Sequence, residues 1–283
     1  MPPFETKSAL LQVASGCTHN CCKFCSLYDV NFRISPIEEM TDDLRELQYF
    51  MPYAERVFLT GANPMVMSFE QLENLLILIH EYLPNIKTIG GFAQVTDIAS
   101  KSISELRQLH FLGLDGIHIG METGDDDVLL YMNKRNTAGQ TIKECKKLEL
   151  AEIKYHVTYL TGLAGSKKGE ENAIESAKVF NMLRPQSICL MELTIFPESE
   201  LYKEILTGNY IPACEFEKLF ELKTLIEHLN TPTVIYASTI SNNAPFAGVL
   251  PRDKQKILKM LDYVIANADE YNLLDFQNYN NHL

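Results

Sequence analysis

Short apolar runs rich in β-branched and aliphatic residues alternate with longer amphipathic stretches along most of the chain. The short runs predict six β-strands: Leu10–Ala14, Arg56–Thr60, Thr88–Gln94, Gly116–Met121, Tyr155–Leu160 and Ser187–Thr194. Apolar residues spaced three and four apart predict five helices between them: Met40–Met51, Phe69–Tyr82, Ser102–Leu112, Thr137–Ala151 and Asn172–Leu183. Six β–α alternations indicate a parallel sheet with right-handed crossovers, built either as a doubly wound sheet or as an incomplete barrel.

Some of these helices begin at residues that commonly cap helices. The candidates are Thr41, Ser68 and Ser102, and Glu105 follows Ser102 at the spacing of a capping box. We therefore expect helices to begin directly after these three positions.

The pattern changes past Phe196. The remaining segments predict two helices, a short strand, a polar loop and a final helix, in the order Leu201–Leu206, Phe216–Leu229, Val234–Ala237, Ser241–Gly248 and Arg252–Ala268. No flexible linker precedes them. We therefore predict a core domain over residues 1–202 and a mostly helical C-terminal extension over residues 203–283 that packs on it.

Composition places the chain among ordinary globular proteins. Of its 283 residues, 46% are hydrophobic and 22% are charged, which is typical of a soluble protein with a large core. No apolar run approaches the ~20 residues that span a bilayer. The first ten residues lack the basic start and apolar block of a secretory signal. We expect a cytoplasmic protein without a membrane partner.

The formal net charge of −12 bears on the choice of partner. Proteins that bind nucleic acid usually present a basic surface, because binding releases counterions condensed on the phosphates. The acidic balance therefore argues against a nucleic-acid partner and favours a small-molecule substrate.

Four of the seven cysteines, namely Cys17, Cys21, Cys22 and Cys25, lie within nine residues directly after the first predicted strand. An odd total without an export signal does not indicate a disulfide framework. Closely spaced thiolates can instead bind an iron–sulfur cluster. Three ligands from one loop leave one iron open to chelate the amino and carboxylate groups of a methionine.

Four cysteines for three positions leave a choice of ligands. Cys17 and Cys25 are common to both arrangements, and either Cys21 or Cys22 completes the set; we prefer Cys22, with two residues before Cys25. A zinc site or a plain electron-transfer cluster is the alternative. Adjacent Cys21 and Cys22 make a poor tetrahedral pair for zinc, which usually binds two separated pairs of ligands.

The Cys-Thr-His-Asn opening at 17–20 and the Lys-Phe-Cys ending at 23–25 resemble the radical S-adenosylmethionine (SAM) superfamily. The similarity covers about residues 8–202 and is greatest to the branch of oxygen-independent coproporphyrinogen oxidase and the elongator radical domain. This chain has four residues between its first two ligands, where the superfamily most often has three. The resemblance implies a [4Fe–4S] cluster on Cys17, Cys22 and Cys25 and S-adenosylmethionine as cofactor.

Further segments at predicted strand ends carry the same resemblance. Gly61, Ala62 and Asn63 stand where the superfamily has a turn whose carbonyls receive the methionine ammonium. Glu122, in Gly-Met-Glu-Thr-Gly, is expected to accept hydrogen bonds from the cofactor's ammonium or ribose. Lys134 or Arg135, which follow in the same segment, could pair with the cofactor's carboxylate, but we prefer to interpret them as part of a solvated face.

Two later segments complete the set. Tyr159, Gly162 and Leu163 belong to a stretch that resembles the one lying against adenine in the superfamily, and residues 194–202 resemble its barrel-closing segment. Motifs at the ends of the first, second, fourth, fifth and sixth predicted strands all face one mouth only if the sheet curls into an open barrel. The resemblance therefore implies an α/β fold that is a partial (β/α)6 TIM-type barrel.

The activity implied is that of a radical SAM enzyme, an oxidoreductase or a transferase. An external one-electron reductant of the flavodoxin or ferredoxin type would reduce the cluster, and a 5′-deoxyadenosyl radical would then take hydrogen from a small molecule. An RNA-modifying radical enzyme and a non-catalytic iron–sulfur or zinc module are the alternatives. His118, His156 and Gln94 could face the barrel interior, although core packing explains each equally well.

Overall fold

The computed structural model describes residues 5–28, 30–239, 241–270 and 273. In this part of the chain the strands are β1 Ala9–Gln12, β2 Ala14–Ser15, β3 Arg33–Ile34, β4 Arg56–Thr60, β5 Thr88–Ala93, β6 Leu114–Glu122, β7 Tyr155–Thr161, β8 Ser187–Glu192, β9 Thr233–Tyr236 and β10 Ala247–Leu250. The α-helices are α1 Ile37–Phe50, α2 Phe69–Tyr82, α3 Val95–Ala99, α4 Ile103–Phe111, α5 Asp126–Tyr131, α6 Ala138–Leu150, α7 Gly169–Asn181, α8 Glu200–Leu206, α9 Glu215–His228 and α10 Lys254–Asn267, with a 3₁₀-helix at Pro64–Val66.

Eight strands form one sheet in the order β1-β4-β5-β6-β7-β8-β9-β10, while β2 and β3 form a separate antiparallel pair. Strands β1 and β4, β4 and β5, β5 and β6, and β8 and β9 pair in parallel. Strand β10 runs antiparallel to β9. Each of the six strands predicted from apolar runs overlaps a strand of this sheet, so the predicted α/β class is confirmed.

Helix starts confirm two of the three predicted caps. Ser68 and Ser102 accept backbone hydrogen bonds from Gln71 and Glu105, and both form complete capping boxes. The prediction for Thr41 is wrong, because α1 already begins at Ile37 and the Thr41 hydroxyl donates to the Ile37 carbonyl within the helix at 2.7 Å. A threonine can bond back to the preceding turn in this way and so does not mark a helix start.

Contacts divide the described residues into two compact units. The first contains the described residues of Met1–Asn20, Leu27–Gly120 and Lys143–His156, and the second contains Cys21–Ser26, Met121–Ile142 and the described residues of Val157–Leu283. The predicted boundary after residue 202 stays a prediction, and residues 271, 272 and 274–283 of the predicted extension lie outside the described residues.

Each unit has its own apolar core. In the first unit Leu11, Phe58 and Leu76 are fully buried, from β1, β4 and α2. In the second unit Phe180 of α7 and Leu225 of α9 are fully buried. Burying such a side chain contributes roughly 2 kcal/mol, so these five positions together contribute on the order of 10 kcal/mol. Along the described chain no helix is both long enough and apolar enough to cross a membrane.

Candidate functional site

The cysteine segment lies in the loop between β2 and β3. The antiparallel pairing of Ala14 with Ile34 and of Ser15 with Arg33 joins the two ends of this loop. Short pairing of this kind fixes where a loop begins and ends without ordering its interior. The contacts of the individual cysteines therefore decide how the segment is positioned.

Cys17, in the first unit, is half-buried and accepts two N–H donors at sulfur. The Gln94 side-chain amide lies 3.4 Å from Cys17 Sγ, and the Asn20 backbone nitrogen lies 3.5 Å from it. Hydrogen bonds to a ligating sulfur stabilise its negative charge and raise the reduction potential of an iron–sulfur cluster. The surroundings of Cys17 therefore suit a thiolate ligand.

Asn63, also in the first unit, is completely buried and binds the residue after Cys17. Its Nδ2 donates to Thr18 Oγ1 at 2.9 Å and to the Asp97 carboxylate at 3.2 Å, and its Oδ1 accepts the Thr18 backbone N–H at 3.4 Å. Asp97 also accepts the Gln94 backbone N–H at 2.7 Å. Asn63 was predicted as part of a carbonyl-bearing turn, and its side chain fixes the backbone of the cysteine segment.

The turn that begins with Gly61 lies at the end of β4. Gly61 has φ +123°, and a Cβ there would stand 2.7 Å from the carbonyl oxygen of Ala14. Only glycine combines this backbone conformation with such a close approach. Ala62, which follows it, is half-buried.

Cys22 and Cys25 belong to a short piece of chain in the second unit. The Cys25 N–H donates to the Cys22 carbonyl at 3.1 Å, which forms a turn. Lys23 between them donates its backbone N–H to Met132 at 3.1 Å and accepts from Leu201 at 2.7 Å. Cys22 and Cys25 are half-buried, whereas Cys21 is exposed.

The side chains of Lys23 and Phe24 attach this piece of chain to the rest of the second unit. Phe24 packs against a buried apolar cluster of the second unit that includes Leu163 and Leu201. The Lys23 ammonium pairs with Glu204 at 3.2 Å and lies 4.1 Å above the ring of Tyr131. Apolar packing therefore holds Phe24 in place, and an ion pair and a cation–π contact hold Lys23.

Glu122 ends β6 in the left-handed region, at φ +65°. Non-glycine residues rarely adopt this conformation. Its carboxylate pairs with Lys134 Nζ at 3.3 Å, and both side chains are largely buried. The interpretation of Lys134 as solvated is therefore wrong, because Glu122 draws the ammonium inward. The neighbouring Asp125 caps α5, as its position before a helix predicts.

The segment after β7 is fixed by residues far along the chain. Gly162 donates its N–H to Glu221 Oε2 at 2.8 Å and accepts the Tyr210 hydroxyl at 2.8 Å. The hydroxyl of Tyr159, which is fully buried, donates to Glu221 Oε1 at 2.5 Å. Leu163 is fully buried in the apolar cluster. Of the residues predicted to lie against adenine, two therefore use their side chains inside the second unit.

Glu221 was missed by the sequence reasoning. Burial raises the pKa of Glu221, hydrogen bonds from Tyr159, Gly162 and Asn172 lower it, and the net value is about 7. The signal was present, since Glu221 falls on the same stripe of α9 as the buried Leu222 and Leu225. A charged residue on a buried stripe indicates a partner within the core.

The histidines that could face the barrel interior pack within the first unit. The rings of His118 and His156 stack at 4.5 Å between centroids, and burial lowers the pKa of His156 to about 3. His118 Nε2 lies 3.5 Å from Glu5 Oε1, and Arg56 binds both oxygens of that glutamate at 2.7 and 2.8 Å. Glu5 was also missed, because a single acid before the first strand resembles a solvated residue.

Within the described residues, no three His, Cys, Asp or Glu side chains stand together as ligands of a single metal ion. The thiolates of an iron–sulfur cluster bind separate irons and have a different spacing. The donor chemistry is the relevant test here, and the half-buried thiol of Cys17 with its two N–H donors fits a cluster ligand.

Comparison with known proteins identifies the family. The model of the radical SAM superfamily matches residues 11–177, more than half of the chain, and the chain therefore belongs to this superfamily of enzymes, whose cofactors are a [4Fe–4S] cluster and S-adenosylmethionine. A curated relative, the heme chaperone HemW of Bacillus subtilis (strain 168), is 22% identical over 228 residues. That match covers 76% of this chain, which spans only 58% of the relative's length.

Solved structures show the same fold. Methylornithine synthase (PylB) matches with a TM-score of 0.53 at 14% identity, over 94% of this chain and 84% of that one. The methyltransferase TsrM of Kitasatospora setae, solved with cobalamin and a [4Fe–4S] cluster, has a TM-score of 0.58 at 15% identity, over 71% and 39%. Elp3 of Methanocaldococcus infernus has a TM-score of 0.51 at 14% identity, over 77% and 54%. The fold is thus that of the radical SAM enzymes, the predicted partial TIM-type barrel.

Proposed function

We propose that this chain uses its cofactors to abstract hydrogen from a small-molecule substrate. When bound, a reduced cluster and S-adenosylmethionine supply a 5′-deoxyadenosyl radical. The observation that carries the proposal is that hydrogen bonds from distant residues of each unit hold the backbone beside the cysteines. Asn63 binds Thr18 in the first unit, and Met132 and Leu201 bind Lys23 in the second. Such preorganisation is what a ligand loop requires.

The proposed ligands are Cys17, Cys22 and Cys25, as the spacing along the chain favours. Two differences between Cys21 and Cys22 support this choice. Cys21 is exposed, while Cys22 closes the hydrogen-bonded turn to Cys25. An exposed thiolate is also more readily oxidised than a half-buried one. Cys21 is then a bystander.

The other proposed cofactor contacts divide into two kinds. Gly61, Ala62 and Gly162 would present backbone to the cofactor, since their side chains are absent or small. Glu122 would offer its carboxylate, with Lys134 positioning it at 3.3 Å. Asn63, Tyr159 and Leu163 would act by positioning, because their side chains are buried within their own units. Water exclusion by such residues protects a reactive radical.

The proposal extends to the rest of the molecule. Residues 1–202 would form the core that carries the cofactors, and residues 203–283 would form the extension, which supplies Tyr210 and Glu221 to the turn at Gly162. A flavodoxin or ferredoxin would deliver the electron. The cytoplasmic location and the absence of a nucleic-acid partner stay predictions from composition.

Anaerobic reconstitution with iron and sulfide tests the proposal. We expect the visible absorption of a cluster, bleaching by dithionite, and 5′-deoxyadenosine once S-adenosylmethionine is added. Cys22→Ala should abolish all three, while Cys21→Ala is the matched control and should retain them. A fully loaded, reduced protein that yields no 5′-deoxyadenosine would refute the radical chemistry. Loss of the cluster in Cys21→Ala alone would reverse the choice of ligand.

A further inference from the structure

Asn172, near the start of α7, has a completely buried side chain that binds residues at the ends of two strands of the second unit. Its Oδ1 accepts the hydroxyl of Thr123, the residue directly after β6. Its Nδ2 donates to the Tyr159 hydroxyl of β7 at 2.9 Å and to Glu221 Oε1 of α9, also at 2.9 Å. The oxygen and both protons of the amide nitrogen are therefore engaged.

The turn after β6 lies directly against α7. Ser176, one helical turn beyond Asn172, accepts the Gly124 N–H at 2.7 Å, and its hydroxyl lies 3.1 Å from that of Thr123. A Cβ on Gly124 would stand 2.7 Å from the Cα of Ser176, so glycine is required for this close approach. Glu122 immediately precedes this turn. Contacts with α7 therefore hold the backbone next to Glu122.

Glu221 connects Asn172 to the turn after β7. Its Oε1 accepts from Asn172, and its Oε2 accepts the Gly162 N–H at 2.8 Å. A Cβ on Gly169, at the start of α7, would stand 2.8 Å from Glu221 Oε2, so α7 and α9 pack closely at this point. A continuous series of buried hydrogen bonds therefore joins Thr123, after β6, to Gly162, after β7.

The two turns joined in this way carry residues that the proposed function assigns to the cofactor. Glu122 would contact it through a carboxylate, and Gly162 would contact it through backbone. Buried hydrogen-bond networks that are fully satisfied make the groups they join rigid. A ligand that binds two groups already held in position does not have to order them on binding, which increases its affinity.

We propose that Asn172 is a positioning residue for S-adenosylmethionine, which holds the turns at Glu122 and Gly162 in the relative position in which both contact this cofactor. This inference rests on the proposed function and adds to it a residue that acts through Thr123 and Glu221. Loss of the Asn172 amide should weaken binding of the cofactor. The rate of cleavage in the saturated protein should stay within about twofold of wild type, because uniform binding is what is lost.

Equilibrium dialysis with radiolabelled S-adenosylmethionine tests the proposal. It uses the full chain, loaded anaerobically with its cluster and left oxidised so that no turnover occurs. Asn172→Ala should raise the Kd about tenfold, as expected for a residue that orients a binding group. Asn267→Ala is the matched control, since this exposed side chain donates within α10, to the Tyr263 carbonyl at 2.7 Å, and it should leave the Kd unchanged. An equal Kd in Asn172→Ala and wild type, or no binding by wild type, would overturn the proposal.

Asn172→Asp separates positioning from folding. The titratable groups facing this side chain are Tyr159 of β7 and Glu221 of α9, and Lys218 and Tyr210 lie near Glu221. Burial raises the pKa of Glu221 to about 7, and burial beside it should also raise the pKa of the introduced carboxyl. The protonated carboxyl can still donate, whereas the ionised one adds a second negative charge.

The Asn172→Asp variant should therefore depend on pH. The ratio of its Kd to the wild-type Kd should be below about threefold at pH 6, where the introduced carboxyl is protonated, and above about tenfold at pH 8. Taking the ratio at each pH removes any pH dependence that wild type itself shows. A ratio that is the same at both pH values would contradict the positioning role.

A double variant tests the route through Thr123. Thr123→Val removes the hydroxyl that binds Asn172 and should raise the Kd by itself. Because both changes break the same connection, Thr123→Val combined with Asn172→Ala should bind no more weakly than Asn172→Ala alone. Losses that multiply in the double variant would show that Asn172 does not act through this turn.

Dialysis of the oxidised protein is independent of the radical chemistry, so the two proposals can fail separately. If Asn172→Ala has the wild-type Kd and wild type forms 5′-deoxyadenosine, the positioning role is refuted and the proposed function stands. If the Kd depends on Asn172 in a protein that forms no 5′-deoxyadenosine after reduction, the proposed function is refuted and the positioning role stands.

Discussion

Two buried glutamates, one in each unit, respond to burial in opposite ways. Glu5 in the first unit is 1% exposed and Glu221 in the second is completely buried. Burial raises the pKa of Glu5, but hydrogen bonds from His118, Arg56 and Ser8 outweigh it and lower the pKa to about 2. Burial also raises the pKa of Glu221, and there it prevails, at about 7.

The difference lies in the donors. Arg56 places a full positive charge on both oxygens of Glu5, at 2.7 and 2.8 Å. Glu221 receives mainly neutral donors, namely the Tyr159 hydroxyl, the Gly162 N–H and the Asn172 amide. Neutral donors satisfy the oxygens without offsetting the cost of a buried charge. The first unit therefore holds an ion pair, and the second holds an acid whose pKa burial raises to about 7.

Removal of the Arg56 guanidinium should have the largest effect on the free energy of unfolding. Arg56→Met leaves Glu5 buried beside no guanidinium, and we expect the free energy of unfolding to fall by about 4 kcal/mol. Urea denaturation measures this. Arg45→Met removes an exposed arginine from α1 and should cost less than about 0.5 kcal/mol. Adding Glu5→Gln to Arg56→Met should recover part of the loss; a double variant no more stable than the single one would show that the charge is not the cause.

The pH dependence of stability should differ between the two acids. Between pH 4.5 and about 7, folded Glu221 keeps a proton that the unfolded chain has released, so its contribution is lost as pH rises. The loss is on the order of 3 kcal/mol in total and levels off above pH 7. The contribution of Glu5 is instead present above pH 4.5 and is lost as pH falls toward 2.

Urea titrations of wild type and Glu221→Gln from pH 5 to 8 measure the first effect. The variant cannot ionise, so the downward slope should be missing from its profile. Glu227→Gln lies on the same helix, where its side chain is 43% exposed, and should keep the wild-type slope. Parallel profiles for wild type and Glu221→Gln would mean that Glu221 does not titrate in this range.

Asn63 extends the comparison to a third buried acid, because it donates to Asp97 as a neutral amide. Asn63→Ala should lower the free energy of unfolding by about 2 kcal/mol, since Thr18 and Asp97 lose a donor in a buried place. Iron retained after reconstitution should fall about tenfold, as expected for a residue that orients a ligand. Asn85→Ala, at an exposed position, should change neither. A stable variant with full iron content would contradict the positioning role.

A Gln94 variant tests whether the neutral hydrogen bond to Cys17 Sγ affects the reduction potential of the cluster. Gln94→Leu removes the N–H that lies 3.4 Å from Cys17 Sγ, and its effect on stability should be below about 1 kcal/mol. The cluster's reduction potential should fall, so that the ratio of reduced to oxidised cluster at a fixed potential drops about threefold. Electron paramagnetic resonance during a redox titration measures this. Gln108→Leu is the exposed control, and a potential that is equal in both variants would exclude the effect.

Local rules predicted much of this fold. Apolar runs located the strands, Ser68 located the start of α2, and Ser102 with Glu105 three residues later located the start of α4. Strand β10 was missed, because Ala247–Leu250 is half exposed and pairs only at the edge with β9. An edge strand of this kind lacks the continuous apolar run that marks a buried one.

The site was predictable where residues are close in sequence. The cysteine spacing and the strand-end turns were visible, whereas the partners that fix them were not. Gly162 binds Glu221 and Thr18 binds Asn63, and nothing in the local pattern of either pair indicates the other. Such contacts depend on how strands and helices assemble, which periodicity does not specify. The choice between Cys21 and Cys22 stays a prediction for the same reason.

Gly61 has a consequence for anyone who redesigns this enzyme. The absent Cβ makes room for the carbonyl of Ala14, on the strand that leads into the cysteine segment. The backbone at Ala14 therefore restricts residue 61 to glycine. No substitution at Ala14 removes its backbone carbonyl. A library that varies the turn has to keep the codon for residue 61 fixed.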